Sequence, residues 1–414
     1  MKYLKTPSLY RIEQTLCYIV IITGFFGAAL LPIDIGPFKL FPYRIFFILL
    51  LPLFFIRILF REKLSLFNSG IKWYLIFLIF WLGYSFISLT WAISKTDAIK
   101  DIVFLFMGIT LIFFICLYIR NKKDFMNIYY LSFVAFVCLI CIGFWEVITG
   151  NHLSSSMFYS YPPLTIPTGT FHNQNDYATF LALYIPFSIG LIYYSRKLVL
   201  KIISVLSIVA SVYLIILTNC ISGLLAVILE VLVFIVLYMI KKKKVYWLAI
   251  LIPAVCAVFV WQYPLIHQYI QQMASLDERF NLIRNGLYFL YSTFGFGVGA
   301  GNIEYWMANF PKYDVKVLNI HSWWAEILAE YGVFVFAGYL LFYLGIIYRI
   351  IRVYFSTTSY FEKLFCTTLI LSLCGFFIAC NGPSSFLNIT AQWYIFGIAL
   401  AFMKHIRSTK EQNG

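Results

Sequence analysis

The chain has 414 residues, 62% of them hydrophobic and only 12% charged, whereas a soluble domain is roughly half apolar and a quarter charged. That composition excludes an ordinary soluble globular protein. The net charge of +14 invites a nucleic-acid reading, but the placement of the basic residues argues against it.

Apolar runs of about 20 residues, each long enough to cross a bilayer, recur along the chain. They predict an all-α polytopic membrane protein with about twelve transmembrane helices by the hydropathy-window criterion. The spans fall near 15–31, 43–60, 73–92, 101–119, 126–148, 178–195, 199–218, 222–240, 245–263, 325–348, 364–380 and 388–403. The first run follows "MKYLKTPSLYRIEQ" without a small-residue cleavage site, so it is expected to be a retained span and not a signal peptide. With the N-terminus inside, the outer segments hold Lys39, Arg44, Lys95, Lys100, Arg279, Arg284, Lys312 and Lys316, 8 of the 31 Lys plus Arg. "RNKK" at 120–123, "KKKK" at 241–244 and the C-terminal tail lie inside. This positive-inside bias places both termini in the cytoplasm. The basic surplus then serves topology and anionic-lipid contact, with no nucleic-acid partner.

The expected organisation is one integral membrane domain over 1–414, with a first outer loop at 150–176 and a large outer loop at 264–324 before the tenth span. The nine cysteines lie mostly within spans and read as small hydrophobes. No internal repeat or P-loop is visible, so any chemistry belongs to the outer face, without ATP as the local energy source.

In the first outer loop, "FHNQNDYATF" places His172, Asn173, Asn175 and Asp176 at the mouth of the sixth span. Asp176 or Asn175 can N-cap that helix. Alternatively, the amides line a sugar-binding cleft, since asparagine both donates to and accepts from hydroxyls. The large outer loop contains "DERFNLIRNGLYFLYS", apolar at helical spacing, with Arg279 and Arg284 its only arginines. They are either snorkelling side chains of an interfacial helix or guanidinium groups gripping a phosphate. Five residues apart, they lie roughly 140° around a helix, so one ligand need not meet both. "GFGVGAGN" follows, expected as a tight turn or as backbone N–H groups offered to an anion. Next comes "HSWWAEILAEYG", in which His321 stands beside an aromatic belt, Ser322 can cap the tenth helix and Glu326 complements its positive end. Glu330 lies deeper, as does Glu230 in the eighth span, and intramembrane carboxylates usually face a protein interior or a wet cavity.

"RFNLIRNGL", "GFGVGAGN" and "HSWWAEILAEYG" together resemble the O-antigen ligase and polymerase superfamily, with His321, Glu330 and Gly332 where that family's motif falls. "GTFHNQNDYA" is similar to its Asn-x-Asn signature. The resemblance implies a GT-C-like membrane glycosyltransferase without metal or cofactor, acting on undecaprenyl-pyrophosphate-linked glycan at the outer face of the cytoplasmic membrane. A flippase and chain-length regulators are its expected protein partners, and membrane lipids its surroundings. The roles implied are His321 as base, Glu330 orienting or stabilising the imidazole, and Arg279 and Arg284 on the pyrophosphate. His172, Asn173 and Asn175 would contact the glycan. One departure is "LTNCISGLL", where Cys220 and Ile221 replace the family's Ser-Arg pair; Arg44 is the candidate substitute on the pyrophosphate. A composition rich in Lys, Ile, Phe, Tyr and Asn leans toward a capsule, exopolysaccharide or teichuronic-acid system. A polymerase is therefore the favoured expectation, a ligase the alternative, and a lipid-linked-glycan transporter the alternative of another class.

Overall fold

The computed structural model describes residues 7–35, 38–60, 65–161, 163–243, 274–383, 387 and 389–413. It is an all-α polytopic membrane protein. Eight helices form its first part: α1 (Pro7–Phe26), α2 (Pro42–Phe60), α3 (Lys72–Ser88), α4 (Lys95–Tyr118), α5 (Lys122–Thr149), α6 (Gln174–Tyr194), α7 (Leu198–Leu217) and α8 (Ile221–Lys241). Five follow: α9 (Ala274–Ser292), α10 (Ile303–Asn309), α11 (Trp323–Ser356), α12 (Tyr360–Ala379) and α13 (Thr390–Asn413). Nine helices among the described residues are long and apolar enough to cross a membrane. Eleven of the twelve expected spans fall on these helices, α3 and α13 included. The expected ninth span, 245–263, lies outside the described residues, as does 264–273 of the large outer loop.

Local sequence explains where the helices begin and end. Asn121 and Asp124 close a capping box on α5, Ser94 caps α4 and Ser359 caps α12. Gly150 ends α5 in the left-handed conformation that a side chain disfavours. A short antiparallel hairpin, β1 (Ile33–Ile35) and β2 (Phe38–Leu40), joins α1 to α2.

α4, α6 and α12 are buried along most of their length, whereas α2, α7 and α8 keep wide exposed apolar faces. That split suits a protein whose inner helices pack on protein and whose outer ones meet lipid. Inside such a bundle every backbone polar group needs a protein partner. Pro186 interrupts the ladder of α6, and neighbouring helices hydrogen-bond to carbonyls around it. Ser372 donates to the Leu183 carbonyl at 2.8 Å, and Tyr129 to that of Phe187 at 2.7 Å.

The segment between α5 and α6 is pinned by a buried carboxylate. Both Glu146 oxygens accept hydrogen bonds: from Thr168 N–H at 2.8 Å, Gly169 N–H at 2.6 Å and the Thr168 hydroxyl at 2.9 Å. His152 Nδ1 lies 3.0 Å from the same carboxylate, and its Nε2 meets the Leu164 carbonyl at 3.2 Å. This hub fixes the segment that delivers His172 to the mouth of α6.

Candidate active site

The start of α11 is docked on the connection after α12. Trp323 N–H donates to the Cys380 carbonyl at 3.1 Å, and the Ser322 hydroxyl to Asn381 Oδ1 at 2.7 Å. Ser322 occupies the N-cap position, but its hydroxyl is thereby drawn away from the cap expected of it. His321, just ahead, is outside the helix with φ +50°, a left-handed conformation rare for a residue with a side chain. Its Nδ1 lies 3.3 Å from the Gly382 carbonyl. A carbonyl only accepts, so Nδ1 donates in this contact, and the Pro383 backbone is a second acceptor for the imidazole. Arg279 on α9 donates to the Asn381 carbonyl at 3.1 Å, which sets its guanidinium beside the imidazole. Burial, then the positive charge of Arg279, hold the His321 pKa below that of an ordinary histidine.

Gly382 owes its position to close packing. A Cβ there would meet the Ser222 hydroxyl at 2.6 Å and Cys220 Sγ at 3.2 Å. The segment that departs from the Ser-Arg pattern therefore abuts the residue that holds His321.

α9 also organises the approach to His321. Glu278 accepts from the Lys316 and Val317 N–H groups at 2.8 Å each. Buried Asn285 accepts from Lys312 and Tyr313 N–H at 2.9 Å and returns a bond to the Tyr313 carbonyl at 2.8 Å. Arg284 is exposed, its guanidinium 5.7 Å from the Tyr313 ring centroid. The two arginines thus face different partners, as their spacing on one helix requires, and only Arg279 stands beside His321.

Glu330 makes its described contacts away from His321. α11 breaks at Gly332, whose φ of 76° and ψ of −176° belong to glycine alone. The break frees carbonyls of the preceding turn, and the glycine segment fills the gap: Val298 N–H donates to Ala329 O at 2.9 Å and Gly299 N–H to Glu330 O at 3.0 Å. Val333 N–H returns to Gly295 O at 2.9 Å, Ala300 N–H meets the Ser88 hydroxyl at 3.1 Å, and Ile303 N–H meets Glu330 Oε1 at 3.3 Å. "GFGVGAGN" is a tight turn as expected, but these N–H groups are already spent on protein, so they do not form an anion nest. Glu330 caps α10, near Asp101, which bonds the Tyr331 hydroxyl. Among the described contacts it does not orient His321, as the motif implied; the Gly382 carbonyl does. The geometric cause is that His321 precedes the helix while Glu330 lies deep within it. Glu230 is buried against Gly375, without a hydrogen-bond partner among the described residues.

A cavity of about 480 Å³ opens among the ends of α1, α2, α6 and α13 and the side of α4. Arg44, Lys39, His172, Asp176, Ser155 and Thr390 are its polar walls, and Phe41, Phe104 and Trp393 are among its aromatic ones. Of the expected glycan contacts, only His172 lines it. Asn173 is the N-cap of α6, its amide oxygen accepting from Asp176 N–H at 2.9 Å, and Asn175 is not on the wall. Asn173 caps the helix in place of Asp176, which was itself expected to cap, and the Asp176 carboxyl keeps a side-chain contact with Asn173 while its Oδ1 has no partner among the described residues. His321 and Arg279 meet the α12–α13 connection at Asn381 and Gly382, while Leu387 and Ile389 farther along it line the cavity. Lys39, Asp176, Asn381 and Gly382 were not anticipated as site residues; Lys39 is visible in sequence only as an isolated cation in a short apolar hairpin.

A family model described as O-antigen ligase matches residues 206–340, the stretch from α7 to the upper part of α11. The chain is 32% identical over 420 residues to the teichuronic acid biosynthesis protein TuaE of Bacillus subtilis (strain 168), covering 97% of this chain and 86% of that one. The His321 motif and the glycine turn lie inside the matched segment. This multi-pass membrane protein is a polysaccharide-biosynthesis enzyme of the polymerase and ligase type, working on lipid-linked glycan, and it belongs to the O-antigen ligase and polymerase superfamily.

Proposed function

We propose that the protein polymerises undecaprenyl-pyrophosphate-linked oligosaccharide repeat units at the outer face of the cytoplasmic membrane, with both termini in the cytoplasm. The observation carrying this reading is His321, its imidazole held by the Gly382 and Pro383 backbone with Arg279 beside it. An imidazole whose pKa is lowered is neutral at physiological pH, the state a general base needs. The imidazole takes the proton of an acceptor sugar hydroxyl as that oxygen bonds to the anomeric carbon of the donor. The bond from that carbon to the pyrophosphate oxygen breaks, and the pyrophosphate leaves with the electron pair. Arg279 stabilises the developing negative charge, an electrostatic role. The same positive charge keeps His321 unprotonated beforehand.

Polymerisation is favoured over transfer to an unrelated acceptor by the teichuronic acid assignment of the relative. Purified protein given a lipid-pyrophosphate oligosaccharide alone tests this: products growing by whole repeat units are expected. Reaction only after a second, different acceptor is added would overturn polymerisation in favour of a ligase. No reaction in either case would overturn glycan transfer itself.

A further inference from the structure

We propose that the cavity among α1, α2, α4, α6 and α13 is a binding site for one sugar residue that bears or adjoins an anionic group. Lys39 and Arg44 hold the anion and Asp176 the hydroxyls of the same sugar. The inference rests on the glycan-transfer reading but concerns residues apart from the His321 cluster.

Asp176 is the first ground. Its side chain is only 9% exposed, it lines the cavity, and its Oδ1 has no hydrogen-bond partner among the described residues. A buried carboxylate oxygen left dry is costly, and hydroxyl hydrogens of a bound ligand would satisfy it. Its neighbour Ser155 presents a second buried, unpartnered atom, Oγ. His172 Nδ1 faces the Ser155 carbonyl at 3.2 Å, so its Nε2 is left to accept from a ligand. Three acceptor positions in one small cavity suit a polyhydroxylated ligand.

Charge is the second ground. Lys39 and Arg44 bring two positive charges to a wall whose lining includes one carboxylate, Asp176. One Arg44 nitrogen donates to the Lys39 carbonyl at 2.8 Å, and its guanidinium lies 4.8 Å from the Phe41 ring centroid. These contacts fix the guanidinium plane while leaving other N–H groups for an anion. Two cations on one wall suit a ligand with a negative group. The volume of about 480 Å³ falls within the ~300–1,000 Å³ of small-molecule sites, and the aromatic rings give apolar walls for a pyranose face.

The anion has two chemical sources, a carboxylate on the sugar or the phosphate of the lipid carrier next to it. Binding to purified full-length protein is measured by calorimetry with three probes: a hexuronate-containing disaccharide, its carboxyl-reduced neutral counterpart, and the neutral disaccharide on a short prenyl pyrophosphate. Preference for the first over the second by about tenfold or more, the scale of a hydrogen-bonded charge, supports the site and assigns the anion to the sugar. Preference for the third supports it and assigns the anion to the carrier. In either case Arg44→Gln abolishes the preference, and Asp176→Asn weakens binding about tenfold while His321→Ala leaves it unchanged. Failure of all three probes to bind, or binding insensitive to both cavity substitutions, overturns the proposal. Melting temperature and gel filtration of each variant establish that it is folded. Turnover of lipid-linked substrate by the same wild-type preparation is recorded alongside, so that failure of this site is separable from failure of the glycan-transfer reading.

Discussion

Replacing Gly332 with alanine puts a side chain where the backbone and the neighbouring segment both refuse one. At φ 76° and ψ −176° the residue occupies a region reached almost only by glycine, a placement that costs about 1–3 kcal/mol for other residues. The new Cβ would collide with the Gly295 carbonyl oxygen and stand 2.6 Å from the Phe296 carbonyl carbon. Relieving that overlap costs about 1–3 kcal/mol more. Together these give roughly 2–6 kcal/mol, comparable with the whole stability of many domains. Movement of the glycine segment would also loosen the Val298, Gly299 and Val333 hydrogen bonds. Gly83→Ala in α3 is the control, because its Cβ would meet nothing within 4 Å and the change should raise helix stability by about 0.5–1 kcal/mol. The assay is the temperature at which detergent-solubilised protein loses its monodisperse gel-filtration peak. Gly332→Ala should lower it markedly and Gly83→Ala should not. Equal behaviour of the two variants would refute the described turn.

Further outcomes follow from the site and from the α5–α6 segment. The pH profile of kcat/KM should keep its neutral plateau below pH 6.5, the ordinary histidine value, since burial and Arg279 lower the His321 pKa and the active base survives until protons reach it. Removing the charge in Arg279→Gln raises that pKa and should move the acid limb upward; an unmoved limb would remove Arg279 from the vicinity of the base. Gly382→Ala pushes on Ser222 and Cys220 and displaces the carbonyl that orients His321, so turnover should fall on the order of 10²-fold at normal expression, with partial recovery on adding Ser222→Ala. Glu330→Gln keeps an acceptor for Ile303 N–H and should retain most activity, whereas Glu330→Ala loses the α10 cap, worth about 0.5–2 kcal/mol of stability. A Gln variant as inactive as His321→Ala would return Glu330 to catalysis. Glu146→Ala leaves the buried His152, Thr168 and Gly169 groups without their acceptor, at about 1–3 kcal/mol for an unsatisfied buried group; limited proteolysis should then cut within residues 150–173, and protection equal to wild type would refute the hub.

Much of the architecture was legible because lipid leaves the chain few options: long apolar runs must be helices, and their ends carry readable caps and loops. His321 and the glycine turn were legible for a related reason, since ionisable and glycine residues stand out against an apolar background. What was hidden depends on pairing between distant segments. Nothing near His321 in the sequence announces that Gly382, 61 positions later, holds its ring. Glu330 drew a catalytic reading from its depth, but one oxygen of its buried carboxyl accepts from Ile303 N–H at the start of α10, a segment distant in sequence. The α6 mouth misled in the opposite direction: three polar residues all qualify as caps by type, and only the observed cap on Asn173 shows that Asp176 is free to face the cavity. Arg44, Lys39 and His172 line one cavity only because segments distant in sequence converge there, a packing fact that no local pattern encodes.

The central claim is that the imidazole of His321 takes the proton of the attacking hydroxyl. Its most direct test is the single-turnover rate of glycan transfer by purified wild type and His321→Ala on a lipid-pyrophosphate oligosaccharide, at matched folding and substrate saturation. The account predicts a loss of about 10²–10⁴-fold, the range of general-base catalysis, with donor binding retained. A variant that turns over at the wild-type rate would contradict it.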